Sequence, residues 1–428
     1  MKPIKVGLLG LGTVGTGVVR IVEGHQEDLQ RQVGSPIRIE KILVQNPTKA
    51  RNIAVDAGKL TDDPWDIIRD PEIDVIIEVM GGIEPTKGFI LEALSRGKHI
   101  VTANKDLMAL HGTEILAKAV EHRCDVLYEA SVAGGIPIIR TLAEGFSSDR
   151  ITKIMGIVNG TTNYILTKMS QEGAAYEDVL KEAQELGYAE ADPTSDVEGL
   201  DAARKMTILG SLGFGVNVEL SDVSVKGITG ITKEDILYGK KLGYEVKLLG
   251  IAERQDDHIS ISVQPTMVKT SHPISSVNGV FNAVYVYGEA VGETMFYGPG
   301  AGELPTATSI VADLVAVVKN LRLGVNGRKV LAPYKEKKLK TDEQISAKNF
   351  ILLHVEDKAG VLAQITQVFA EHEVSLESVL QHPNANNPKA EIIIITHDAN
   401  QASMKKVLKH FETMDVIQTI QSVYRVEG

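Results

Sequence analysis

Short apolar runs alternate with helical patterns over the first third of the chain. Ile4–Leu9 is an apolar run, followed by Gly10-Leu11-Gly12-Thr13-Val14-Gly15 and then a helical pattern through Val18, Val19 and Ile21. Residues 37–44 alternate toward a second strand, and 75–80 is an apolar run ended by Gly81-Gly82. Residues 89–94 read as helix, 99–102 as strand, 107–120 as helix and 126–128 as strand. This alternation predicts βαβ units and a doubly wound parallel sheet.

The pattern changes over 131–299. Helices come first, and strand-like segments at 246–251, 259–263 and 283–290 cluster late. An α+β domain with a mixed sheet is expected there, carrying the substrate site and a subunit interface. Gly300-Ala301-Gly302 leads into a helix over 306–320 that returns to the first domain. Residues 332–348 are rich in lysine, with Pro333 early, and read as a polar, mobile linker. The remainder reads strand, helix, strand, strand, helix, strand at 350–355, 361–372, 374–380, 391–396, 403–411 and 416–424, the ferredoxin-like βαββαβ order. The expected division is 1–130 completed by 300–326, then 131–299, a linker over 327–348, and 349–428.

Composition narrows the function classes. The 428 residues are 43% apolar and 24% charged, as in soluble globular proteins, with room for two or three domains. A formal net charge of -11 argues against nucleic acid or an anionic membrane as partner. The one cysteine, Cys124, excludes an internal disulfide and a multi-cysteine metal site, and fits a reducing cytoplasm. The N-terminus has a basic start and an apolar run, but lacks a leader's polar boundary and cleavage region. No apolar run long enough to span a bilayer is expected.

The glycine loop sits between a strand and a helix, the context in which G-x-G-x-x-G binds a dinucleotide on a Rossmann-type sheet. Gly10 permits the tight turn, Gly12 lets backbone approach a pyrophosphate, and Gly15 allows close helix–strand packing. Thr13, Val14 and, from the later turn, Gly302 join the cofactor-binding candidates. NAD sites usually carry an acid at the end of the second strand; here Val44-Gln45-Asn46-Pro47 has none, and Lys49 and Arg51 follow. A cationic loop suits a 2′-phosphate, so NADP is favoured over NAD. Lys105, after Thr102-Ala103-Asn104, follows another strand end, where ligands of open α/β sheets collect.

Residues 191–205, ADPTSDVEGLDAARK, carry the densest chemistry. Ser195 and Glu198 form a capping-box pair that predicts a helix starting near Asp196. Asp201 and Lys205 are four residues apart and share a helix face, and a lysine oriented by a carboxylate can donate a proton. The plain alternative is a solvated ion pair. The order Ala183-x-x-x-Gly187-Tyr188, Asp192-Pro193, Asp196, Gly199, Asp201, Lys205 resembles, position for position, the signature of homoserine dehydrogenases.

The resemblance covers essentially the whole chain and implies interconversion of L-homoserine and L-aspartate 4-semialdehyde with NAD(P), in threonine, methionine and isoleucine biosynthesis. It implies Lys205 as proton donor, Lys105 in the active site, and Glu190 and Asp201 as substrate contacts. Gly187 and Thr161 are further substrate-side candidates, the latter in Asn159-Gly160-Thr161-Thr162, where a hydroxyl could equally cap a helix. Residues 129–137 end a strand in a glycine turn whose carbonyls could ligate a monovalent cation. By residues alone this is a hinge; the resemblance implies a sodium-type site at Glu129, Val132, Gly134 and Ile136. Asp357-Lys358-Ala359-Gly360-Val361-Leu362 suggests an ACT domain, a small-molecule regulatory module. Threonine is then the expected effector, near Asp357, Ala359 and Val361, with a purely structural assembly domain as the alternative. A homodimer is expected, or a homotetramer if tails pair. Two rivals stand beside this reading. One is a semialdehyde dehydrogenase working through a thioester, which needs Cys124 as nucleophile. The other is a catalytically silent amino-acid sensor with the tail as its working part.

Overall fold

Six parallel strands organise the N-terminal part. They are β1 (Ile4–Leu9), β2 (Ile37–Leu43), β3 (Leu60–Thr61), β4 (Val75–Glu78), β5 (His99–Thr102) and β6 (Val126–Leu127), in the order β3-β2-β1-β4-β5-β6. Strand order reverses between β1 and β4, the switch point at which such sheets bind ligands. Helices α1 (Thr13–Gly24), α2 (Gln26–Val33), α3 (Trp65–Ile68), α4 (Thr86–Ser95) and α5 (Lys105–Glu121) connect them. Both sheet faces are covered, and the central β4 shows it: Val75, Ile76 and Ile77 are fully buried in succession. This computed structural model describes residues 2–327, 333–383 and 389–428.

The chain continues through α6 (Ile138–Arg140), β7 (Ile151–Ile157), α7 (Gly160–Glu172), α8 (Tyr176–Glu185), α9 (Thr194–Val197) and α10 (Leu200–Phe214). Next come β8 (Val223–Val225), α11 (Lys233–Lys241), β9 (Tyr244–Gln255), β10 (His258–Lys269), β11 (Phe281–Gly288), β12 (Gly292–Pro299) and α12 (Glu303–Leu323). The last elements are β13 (Lys338–Leu339), β14 (Ser346–Glu356), α13 (Val361–Glu371), β15 (Leu376–Pro383), β16 (Lys389–Thr396), β17 (Ala399–Asn400), α14 (Gln401–Phe411) and β18 (Ile417–Glu427). Two compact units form. One holds Met1–Ile154, Arg204–Ser221 and Phe281–Lys337; the other holds Met155–Ala203, Asp222–Val280 and Lys338–Gly428.

In the first unit α12 packs along α1 beneath the parallel sheet. A Cβ at Gly17 would stand 2.6 Å from the Glu303 carbonyl oxygen, so glycine sets this close approach. By length and apolar composition α12 could cross a membrane, contrary to the expectation that no run could. Its Ile310, Leu314, Val317 and Val318 are instead fully buried in the core with Val18 and Val22. A two-faced apolar helix is what burial between a sheet and a second helix requires.

In the second unit β9 and β10 form a long antiparallel hairpin, with β8 and β13 parallel to β10. The tail sheet runs β18-β14-β16-β15, the ferredoxin-like order, and its helices bury Ile365, Phe369, Val407 and Phe411 against it. β18 also pairs in parallel with β10, Thr266 opposite Arg425 and Val268 opposite Glu427. Asp235 on α11 accepts from the hydroxyls of Ser422 and Tyr424, and Arg425 meets Glu253 at 2.7 Å.

These bonds correct the expectation of a tail on a mobile linker. β13, inside that linker, pairs with β10, and β18 extends the same strand row. Within the described part of this polar stretch, Lys338 and Leu339 form a sheet edge rather than a free tether. Ala332, with the rest of 328–332, lies outside the described residues.

Candidate active site

The nucleotide loop begins where β1 ends. Gly10 has φ +108°, a conformation that side-chain-bearing residues rarely adopt, and a Cβ at Gly15 would stand 2.2 Å from the Gly10 carbonyl oxygen. Around Gly12 a Cβ would meet nothing within 4 Å, so the backbone is open on that side. Gly12 is the N-cap of the twelve-residue α1 and offers no side-chain cap. The first-turn amides therefore point into a cleft of about 630 Å³ lined by Gly10, Gly12, Thr13, Lys49 and Arg51.

The other cofactor candidates are placed differently. Val14 and Gly15 lie behind the loop, where Gly15 serves packing. Gly302, φ +126°, is the N-cap of α12, and its neighbour Glu303 lines the cleft. Arg51 is turned onto its own loop, donating to the carbonyl oxygens of Asn46, Pro47 and Lys49. Arg20, not singled out from the sequence, also lines the cleft; it meets Glu303 at 3.3 Å and donates to the Asn52 carbonyl.

Lys105 opens α5 at the end of β5, and a buried network fixes it there. Glu78 accepts from the amides of Met80 and Gly81 and from the Thr102 hydroxyl. Thr102 in turn accepts from the Asn104 amide, and the Asn104 side chain caps α5 through the Leu107 amide. Burial raises the Glu78 carboxyl above its ordinary range, against these donated bonds. Asp106, the next residue, meets Arg204 at 2.9 Å, so the turn bearing Lys105 is bonded to the turn bearing Lys205.

The helix expected near Asp196 is two helices. Gly199, at φ +79°, separates α9 from α10, and an added Cβ would press on Val225 and Val263. Asp192 takes the Thr194 amide and hydroxyl, organising the start of α9. Glu198 accepts from the Thr229 hydroxyl. Asp201 and Lys205 both fall on α10, one turn apart. Asp201 is buried and bonded to Asn159, whose side-chain amide donates to Asp201 at 2.8 Å and Asp196 at 2.7 Å. The same Asn159 caps α7 by accepting from the Thr162 amide. Sequence reading gave Asn159 no role, although an Asn before Gly-Thr-Thr is an N-cap signal.

Thr161 is buried and donates to the Tyr188 carbonyl at 2.6 Å, tying α7 to the turn at Gly187, φ +75°. Glu190 is exposed on the loop between α8 and α9, and its carbonyl accepts from Gln184.

The turn is buried from Glu129 to Gly134, and its backbone is unusual: Ala133 and Gly134 have φ +53° and +40°. The Gly134 carbonyl accepts from the Ser309 hydroxyl and that of Ile136 from the Ile138 amide. The Glu129 carboxylate accepts from the amides of Ile139 and Arg140. Asp313 accepts from the Glu129 amide and from Arg140. Burial pushes Asp313 up to about 7 and raises Glu129. Two buried carboxyls, Glu129 and Asp313, thus share the one guanidinium of Arg140, and the carbonyls of this turn are the groups that could hold a monovalent cation.

Cys124 is buried against the Leu94 and His122 carbonyls, its thiol pushed up to about 11 by burial and Asp125, the setting of a structural rather than a reactive cysteine.

Comparison with known proteins follows the same lines. Family models match at 10–129 (homoserine dehydrogenase, NAD binding domain), 137–315 (homoserine dehydrogenase) and 350–414 (ACT domain). A homoserine dehydrogenase of Bacillus subtilis is 58% identical over 429 residues, covering 100% of this chain and 99% of that protein. The crystal structure of a Thiobacillus denitrificans homoserine dehydrogenase superposes with TM-score 0.92 at 40% identity, over 100% of this chain and 98% of the other. A hyperthermophilic archaeal homoserine dehydrogenase in complex with NADPH gives TM-score 0.62 at 25% identity, over 74% and 98%. With its glycine loop, its Asp201–Lys205 helix and its ferredoxin-like tail, the chain belongs to the homoserine dehydrogenase family.

Proposed function

We propose that Lys205 moves the proton in the interconversion of L-homoserine and L-aspartate 4-semialdehyde, the reaction of this family. The observation that carries the proposal is its place one turn after the buried Asp201 on α10. NAD(P), when bound, would supply the hydride to the aldehyde carbon or accept it in reverse. As the carbonyl oxygen gains charge, Lys205 donates a proton to it; in the oxidising direction the neutral amine takes the hydroxyl proton. Asp201, held by Asn159, orients the substrate and Lys205, and Lys105 adds positive charge where the oxyanion develops. Glu190 meets the substrate ammonium, and the Thr161 and Gly187 region its carboxylate. The test is Lys205→Ala, expected to lose about two to four orders of magnitude in kcat with cofactor affinity retained. Near wild-type turnover would reduce Lys205 to an ordinary helix-surface charge.

NADP is the proposed preferred cofactor, supported by the absence of an acid after Val44 and by Lys49 in the cleft. The NADPH-bound archaeal relative is in line with this. A sodium-type ion would be held by the carbonyls of Val132, Gly134 and Ile136 and by Glu129, where it would stiffen the turn. Domains at 1–130 with 300–326, at 131–299 and at 349–428 are proposed; matches at 10–129 and 350–414 support the first and the last, while that at 137–315 runs past the expected boundary at 299. A cytoplasmic homodimer or homotetramer is proposed; the stacked, partly exposed Phe281 and Tyr297 of the β11–β12 hairpin are a candidate contact. Threonine is the proposed effector at Asp357, Ala359 and Val361, where Gly360 opens α13 without a side-chain cap. Calorimetry with threonine on the full chain tests it: no binding and no inhibition leave the tail an assembly element.

A further inference from the structure

Helix α11 and the tail sheet share a cluster of metal-ligating side chains. Glu234 lies in the first turn of α11, His354 on β14 and Glu391 on β16. His354 and Glu391 are register partners across the β14–β16 pair, so they occupy one face of the sheet. One ligand atom from each of the three lies within 4.8 Å of the others. His354 Nε2 is buried and has no hydrogen-bond partner among the described residues, yet it stands 3.4 Å from Glu234 Oε2.

We propose that Glu234, His354 and Glu391 form a binding site for a zinc-class divalent cation. One imidazole nitrogen and two carboxylate oxygens make a mixed set that suits zinc better than magnesium, which seeks oxygen alone. Tetrahedral bonds of about 2.0–2.2 Å place ligand atoms roughly 3.4 Å apart, the separation already present between His354 and Glu234. The Glu391 ligand atom lies within 4.8 Å of the other two, within reach of closure by a side-chain rotation. The Tyr238 hydroxyl, one turn on from Glu234, donates to Glu391 and fixes that carboxylate from behind, the outer hydrogen bond that ligands of metal sites commonly receive. His382, the register partner of Glu391 on β15, stacks on the Tyr238 ring at 5.7 Å and closes that side. Glu234 is exposed, which leaves an entry path and room for a water in the fourth position.

Such an ion would pin α11 to two tail strands, beside the Asp235 bonds to Ser422 and Tyr424. The test is calorimetric titration of zinc chloride into the full-length, chelator-treated protein, repeated with Glu234→Gln, His354→Gln and Glu391→Gln. One equivalent of zinc per chain is expected, with at least tenfold weaker binding in each variant and a rise in Tm for the wild type only. Cobalt(II) should give the visible bands of four-coordinate nitrogen–oxygen ligation, lost in His354→Gln. Far-UV circular dichroism and the Tm of each metal-free variant report its folding, and if one fails to fold the other two decide. No saturable binding, or the same affinity in folded variants as in wild type, overturns the proposal.

Discussion

Arg204 Nε lies 2.9 Å from Asp106 Oδ1, so the residue after Lys105 is bonded to the residue before Lys205. Both side chains are part-exposed, and a pair of this kind contributes little to stability. Its effect falls on position: a misplacement of about 1 Å costs up to about 100-fold in rate. Arg204→Gln and Asp106→Asn should each lower kcat by about tenfold, and the double variant should be no worse than either single one. Additive losses in the cycle would show that the pair does not act as a unit.

Asn159 stands between two carboxylates, and its amide hydrogens satisfy both. Asn159→Asp places a third carboxylate within 3 Å of Asp196 and Asp201, where like charges cannot all ionise. Its activity relative to wild type should fall by more than tenfold at pH 8 and partly recover toward pH 6, as a shared proton relieves the repulsion. A ratio that stays flat with pH would locate the damage in the lost α7 cap alone, worth about 1 kcal/mol.

The two cations of the cofactor loop should separate. Lys49 lines the cleft while Arg51 laces its own loop through three carbonyls. Lys49→Ala is therefore expected to raise KM for NADP about tenfold and leave KM for NAD unchanged, since a charge-assisted phosphate bond is worth about 1.5–3 kcal/mol at most. Arg51→Ala should weaken both cofactors alike. Equal effects of Lys49→Ala on the two would remove it from 2′-phosphate recognition.

Lys247 supplies a pH signature of stability. It is buried, donates to the Val277 carbonyl and the Asn278 side chain, and is lowered by burial from 10.5 to about 8. Between pH 8 and 10.5 the unfolded chain holds this proton and the folded chain does not, so stability should rise with pH across that window. The gain is at most about 3.5 kcal/mol, at about 1.4 kcal/mol per unit. Denaturant midpoints at pH 7.5 and 10 should converge in the difference between wild type and Lys247→Met; a constant difference would mean the lysine stays charged when folded.

What the sequence made legible was local. The glycine loop, the strand–helix alternation and the spacing of Asp201 and Lys205 depend on neighbours within a turn or two, and each element was found to within a few residues. The break at Gly199 was hidden because a capping-box spacing and a true helix start look alike until a positive φ intervenes. Asn159 could be read as a cap but not as the partner of Asp196 and Asp201, about forty residues away. Bonds such as Asp235 to Tyr424 join positions far apart along the chain, and no periodicity carries them. The polar stretch around β13 reads the same whether it borders a sheet or hangs free, because a sheet edge and a tether have the same composition.

The parallel seam of β10 and β18 bears on how tails of this kind can be exchanged between relatives. A cut in the polar stretch before β14 would look neutral, yet it leaves the free edge of β10, Asp235 without its hydroxyl donors and Glu253 without Arg425. A graft that succeeds must bring its own match for these positions on α11, β9 and β10. Inheritance of the tail is therefore coupled to inheritance of residues in the middle of the gene, and recombination at the apparent boundary yields chimeras with an unpaired strand.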